Sequence, residues 1–188
     1  MKKTVAVIGS RGAIGNAVVD ALLADESIEA VFKFYRADNT EHDDKVKHIF
    51  IDIEDEESIK QATESLPEDT KFDLIFVATG ILHDEKNVFP EKSIKDISFD
   101  KLIKDLIINT SGPTLVGKYF IPDLRKDSKS TFAFLSARVG SISDNKLGGW
   151  YSYRASKTAL NQIIRNFSIE VARSNKNAIF IGLQPGTV

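Results

Sequence analysis

Tyr153 and Lys157 stand four residues apart in a segment, 151 to 172, where Leu160, Ile163, Ile164, Phe167 and Val171 recur at helical spacing. A phenol and an ammonium so spaced share one helix face, one turn apart. A free phenol titrates near about 10 and a lysine ammonium near about 10.4, and a neighbouring cation favours phenolate. Such a tyrosine becomes a usable acid and base, able to hand a proton to a carbonyl oxygen or to take one from an alcohol. Taken alone the pair is an ordinary surface spacing. Its chemistry needs a redox cofactor within reach.

A site for one is written at the N-terminal end. The apolar run from Thr4 to Ile8 leads into Gly9-Ser10-Arg11-Gly12-Ala13-Ile14-Gly15, and Val18, Val19, Leu22 and Leu23 follow at helical spacing. Strand, glycine turn and helix in this order aim free N–H groups and the positive end of a helix dipole at a pyrophosphate. The plain alternative is a tight connection. At the end of the next apolar run stand Tyr35 and Arg36, where a carboxylate would bind ribose hydroxyls and an arginine the 2′-phosphate. Arg11 can bring a second guanidinium to the same phosphate, so NADP(H) is favoured over NAD(H). Otherwise both arginines are solvated and Asp38 takes the ribose. Asp52 faces the adenine edge or caps the following helix.

The elements that must hold these groups alternate along the chain. Strands are expected at 4–8, 28–35, 47–51, 72–78, 131–135 and 178–183. Helices are expected after the glycine turn, at 54–66 and at 151–172. A long helix with a break at Pro113 is expected from Phe99, Leu102, Ile103, Leu106, Ile107, Thr110, Leu115, Val116, Tyr119 and Phe120. This alternation predicts an α/β fold, a Rossmann-like doubly wound parallel sheet flanked by helices, in one domain over residues 1–188. The chain ends just after the sixth strand, so the substrate loop and last strand of such a fold are expected to be absent. Pro113 cannot donate to the Asn109 carbonyl, which would free that carbonyl for a water.

The glycine turn, Ala78-Thr79-Gly80, Asn109, Ser136, Tyr153 to Lys157 and Pro185-Gly186 come in the order shown by the short-chain dehydrogenase/reductase family, which the chain resembles from Thr4 to Val188. Ser136-Ala137-Arg138-Val139-Gly140-Ser141 and the run from Gly148 to Lys157 look like its C-factor-like branch. The resemblance implies carbonyl–alcohol interconversion by hydride transfer, with Tyr153 as acid/base, Lys157 lowering its pKa and binding ribose, and Asn109 completing a proton relay. It implies cofactor contacts from Gly9, Ser10, Arg11, Gly12, Ile14, Gly15, Arg36, Asp52, Ile53, Ala78, Thr79, Gly80, Tyr153, Lys157, Pro185, Gly186, Thr187 and Val188, the threonine of the fourth-strand turn still bonding backbone. The family's glycine turn is Gly-x3-Gly-x-Gly, so the middle glycine here is one position early. Its second serine holds the substrate carbonyl, and Ala137 takes that position. Ser136 is the expected replacement, with Ser141 or Ser143 as alternatives. The same resemblance admits a signalling or nucleotide-sensing protein with little turnover.

Composition narrows the partners. A net charge of −2 with interspersed signs gives no footprint for nucleic acid or an anionic membrane. No cysteine is present, excluding disulfides and thiolate chemistry. His42, His48 and His83 fall in separate segments, and no metal is implied. The expectation is a cytoplasmic protein acting on a small carbonyl or alcohol. Copies are expected to pair as a homodimer or homotetramer through the helix carrying Ala155 and Ala159, and Trp150, Leu147 and Leu82 are candidate substrate-pocket residues. The acidic run from Glu54 to Glu57 is expected to be a solvated first turn.

Overall fold

The computed structural model describes residues 2–37, 44–83 and 89–186. Six parallel strands form one sheet in the order β3-β2-β1-β4-β5-β6. They are β1 (Lys3–Ile8), β2 (Ile28–Tyr35), β3 (Val46–Phe50), β4 (Leu74–Val77), β5 (Ser130–Leu135) and β6 (Ala178–Leu183). The helices between them are α1 (Ala13–Leu23), α2 (Glu56–Glu64), α3 (Phe99–Leu106), α4 (Gly112–Phe120) and α5 (Tyr151–Val171).

Side chains alternate across a strand, and β1 divides its apolar residues accordingly. Val5 and Val7 pack with Val19 of α1 on one face. Ala6 and Ile8 join Phe34, Phe132 and Phe134 on the other, beneath Ile59 of α2, Phe120 of α4 and Leu160 of α5. Burial on both faces explains why these strands read as nearly continuous apolar runs. Strand order reverses between β1 and β4, and at such a switch point the connections diverge and leave a crevice at the carboxyl ends of the strands.

Three local expectations are corrected. Helix α2 starts late because the Asp55 carboxylate, accepting from Glu57 N, is its N-cap. Asp52 instead accepts from Glu54 N. The break at Pro113 is no gap: residues Ile107–Ser111 form a π-helical turn joining α3 to α4, with Gly112 N donating to Ile107 O. A wide turn accommodates the donor that Pro113 lacks. The third correction concerns the stripe running along α3 into the π-helical turn, where Phe99, Ile103 and Ile107 are exposed while Asp105 is completely buried. Among the described residues no helix is long and apolar enough to cross a membrane.

Phe120 is fully buried edge-to-face against Phe34, ring centroids 5.2 Å apart. Phe120→Ala is expected to lower the unfolding free energy by about 3–5 kcal/mol in chemical denaturation. Phe99→Ala, at an exposed ring, is expected to change it by under about 0.5 kcal/mol.

Candidate active site

The glycine turn sits on the carboxyl end of β1. Gly9 adopts φ 80°, and a Cβ on Gly15 would lie 2.3 Å from the Gly9 carbonyl oxygen, so α1 can leave the strand at this angle only without a side chain there. No side chain caps α1; its N-cap is Gly12. A cleft of about 450 Å³ opens beside this helix end, lined by Gly9, Arg11, Gly12, Tyr35, Arg36, Ile53, Glu54, Thr79 and Gly80 among others. Thr79 Oγ1 is buried without a hydrogen-bond partner among the described residues, contrary to the expectation that it bonds backbone. An uncapped helix end and an unanswered hydroxyl in one cleft fit a phosphate-bearing dinucleotide.

Not every expected contact faces this cleft. Ser10 is fully buried and its hydroxyl donates to the Phe34 carbonyl. Ile14 packs into the core beneath α1. Asp52 lies behind the rim, 3.7 Å from Arg36 Nη1, and Glu54, missed in the sequence, holds the same guanidinium at 3.1 Å. Arg11 is exposed, its guanidinium 5.1 Å from the Tyr35 ring centre. Among the described residues Arg11 has no ion pair. Pro185 and Gly186 lie exposed past β6, while Thr187, Val188, Asp38 and His42 fall outside the described residues.

Asn109 and Lys157 come together behind Gly80, which lines the cleft. A Cβ there would lie 3.1 Å from both Asn109 Oδ1 and Lys157 Nζ. Asn109 is fully buried in the π-helical turn; its Oδ1 accepts from Ile81 N, and its Nδ2 donates to Ile81 O and to Ser156 Oγ. Lys157 is 1% exposed and donates to the Leu135 carbonyl at 2.8 Å, with its Nζ 5.8 Å from the Tyr153 ring centre. Burial pulls the Lys157 amine down to about 8, opposed by Asp105. Burial, reinforced by the Asp105 charge, pushes the Tyr153 phenol above its ordinary value. The amine is turned to the β5 carbonyl, and Tyr153 is half-buried.

Ser136 has a side-chain partner of its own. It is buried, and its hydroxyl donates to Asn161 Oδ1 at 2.6 Å, an acceptor the sequence did not single out. Ser141 and Ser143 face each other at 3.4 Å.

The family model described as short chain dehydrogenase matches residues 3–188. The chain belongs to the short-chain dehydrogenase family. It is 29% identical over 139 residues to 1-hydroxy-2-glutathionyl-2-methyl-3-butene dehydrogenase of Rhodococcus sp. (strain AD45), covering 73% of this chain and 57% of that protein. To the C-signal of Myxococcus xanthus it is 31% identical over 96 residues, 51% of this chain and 57% of that one. The chain thus spans little more than half the length of either relative. A short-chain dehydrogenase/reductase from Burkholderia multivorans with bound NADP superposes with a TM-score of 0.84 at 25% identity, over 99% of this chain and 80% of that one.

Within this family member, the buried amine makes stability depend on pH. Its folded pKa, about 8, lies below the free value of 10.5, so the unfolded chain holds the proton more tightly. The destabilisation is fully present below about pH 8 and is relieved as pH rises toward the free-lysine value. Relative to Lys157→Met, the wild type is expected to gain about 2 kcal/mol of unfolding free energy between about pH 7 and about pH 9.5. A flat difference in denaturant titrations would show that the amine titrates normally.

Proposed function

We propose that this chain forms the cofactor-binding and catalytic body of an NADP(H)-dependent oxidoreductase that interconverts a carbonyl and an alcohol. The observation that carries this reading is the convergence behind the cleft-lining Gly80, where Asn109 Oδ1 and Lys157 Nζ both come close, the amine lying 5.8 Å from the Tyr153 ring centre. Gly9, Arg11, Gly12, Ile53, Ala78, Thr79 and Gly80 would hold the dinucleotide, together with the turn at Pro185 and Gly186. When bound, NADP(H) supplies the hydride exchange at carbon.

The proton chemistry belongs to this chain. In reduction the Tyr153 hydroxyl donates to the carbonyl oxygen, and in oxidation the phenolate takes the proton back. Its raised pKa keeps the phenol protonated, which suits the reductive direction. Lys157 would donate to the ribose hydroxyls of the bound cofactor and would place its charge 5.8 Å from the Tyr153 ring centre. Asn109 holds the Ile81 backbone and Ser156 in register with it, so that a proton path can leave past Lys157. With Ser136 committed to Asn161, Tyr153 is the principal group polarising the carbonyl.

Arg11 is the guanidinium best disposed toward a 2′-phosphate, being free of carboxylate partners among the described residues, whereas Arg36 must leave Glu54 to join it. The NADP bound to the Burkholderia multivorans relative supports the same preference. The exposed stripe Phe99, Ile103 and Ile107 supports pairing of copies through α3 and α5. A second reading, a nucleotide-binding signalling protein with little turnover, is favoured by Ala137 and by the 31% identity to C-signal.

Tyr153→Phe is expected to cut kcat by about 10²–10⁴-fold over a panel of aldehydes and ketones, with NADPH affinity changed by under about threefold. Full turnover in that variant would remove Tyr153 from the mechanism. Tight NADPH binding without turnover in the wild type would establish the second reading. Arg11→Ala is expected to weaken NADPH binding by about tenfold or more and NADH binding by under about twofold. Equal losses would take Arg11 off the 2′-phosphate.

A further inference from the structure

The first N–H groups of a helix need partners from outside it. Helix α5 begins without a capping side chain: its N-cap is Trp150, whose indole can only donate. Trp150 itself is left-handed at φ 53°, and Gly148 and Gly149 before it stand at φ 68° and φ 64°. A bulky residue keeps such a conformation only where its surroundings hold it.

What holds it is Glu91, in the segment ahead of α3. Its main-chain carbonyl accepts from Trp150 N at 2.6 Å. Its carboxylate accepts from Ser152 N at 3.3 and 3.4 Å and from the Ser152 hydroxyl. Glu91 is 2% exposed and Ser152 fully buried, so the bonds are shielded from water. Tyr153 is the next residue. The carboxylate therefore grips the turn that carries the phenol, and its negative charge faces the positive end of the α5 dipole.

We propose that Glu91 is a positioning residue, whose clamp on Trp150 and Ser152 sets the placement of Tyr153 in the first turn of α5 and offsets the helix-end charge that the phenol feels. The proposal rests on Tyr153 being the acid/base group. Other charges reach the same region: Asp105, with Lys101 paired to it at 3.0 Å, from α3; Lys157 and Arg154 from α5; and Lys92 beside Glu91. None of these lies on the first-turn N–H groups. Removing the Glu91 charge leaves the helix end less compensated, which favours phenolate.

The test compares wild type, Glu91→Gln, Glu91→Ala and Ser152→Ala in the full chain. Tyrosinate absorbance, assigned to Tyr153 by difference from Tyr153→Phe, is expected to appear at a pH lower by about half a unit or more in Glu91→Gln. In Glu91→Ala, amide exchange at Trp150 and Ser152 is expected to quicken at least about tenfold. The kcat is expected to fall about 10- to 100-fold with KM and NADPH affinity within about twofold, and Glu91→Gln is expected to restore most of it. Should Glu91→Ala fail to fold, Glu91→Gln and Ser152→Ala carry the same comparisons, Ser152→Ala keeping the charge and losing kcat but not the titration. Unchanged titration and exchange, or a loss spread equally over kcat, cofactor affinity and unfolding midpoint, overturns the proposal. If the wild type reduces no carbonyl, the acid/base reading fails by itself, and titration and exchange still decide what Glu91 does.

Discussion

A lysine amine with almost no access to water is the constraint around which the candidate site is built. Burying an ammonium is unfavourable unless donors are answered, and one of the three N–H bonds of Lys157 is answered by the Leu135 carbonyl. That carbonyl is available because β5 ends there. The approach also requires a residue without a side chain in the turn after β4, since a Cβ at Gly80 would crowd both Lys157 Nζ and Asn109 Oδ1. The ends of two neighbouring strands, at the edge where dinucleotides bind in doubly wound sheets, are thus shaped by one amine.

The π-helical turn answers the other side of that amine. Two successive residues of the turn bond to the same point of α5: Asn109 Nδ2 donates to Ser156 Oγ, and Thr110 Oγ1 donates to the Ser156 carbonyl. The wider turn turns both toward one neighbour, and Pro113, which has no N–H to offer, stabilises the irregularity by removing a competing donor. Ser156 adjoins Lys157. The same residues therefore lock α3 and α4 to α5 and fix the height of the amine over the sheet.

Much of this was legible in the residues. Strands β2 and β6 span the expected residues, and α5 begins at the expected residue 151, because buried parallel strands and a long amphipathic helix leave strong periodic signals. The glycine turn and the Tyr153–Lys157 spacing were legible for the same local reason. Less visible were single polar residues whose partners lie far along the chain. Glu91 reads as one acid in a polar connector, and only the fold brings it to Ser152, 61 positions away. In α3, Phe99 and Ile103 win the pattern but Asp105 takes the interior. A periodicity rule ranks residues by apolarity and cannot see that Lys101 reaches down to pair with that carboxylate. Likewise the hydroxyl of Ser136 looks available until Asn161 is folded against it.

That hydroxyl illustrates how a motif position can change its work. Asn161, whose Oδ1 receives the Ser136 proton, directs its Nδ2 toward the Gly140 carbonyl at 3.4 Å, and Thr158 donates to the same carbonyl at 2.9 Å. A Cβ on Gly140 would lie 2.9 Å from the main-chain carbon of Lys157, so the turn after β5 rests directly on the helix that carries the amine. Ser136 is the stitch between them. It fixes the end of β5, hence the Leu135 carbonyl, hence the height of Lys157. With Ala137 contributing no hydroxyl, the turn after β5 offers Ser136 to Asn161 rather than a second serine beside it.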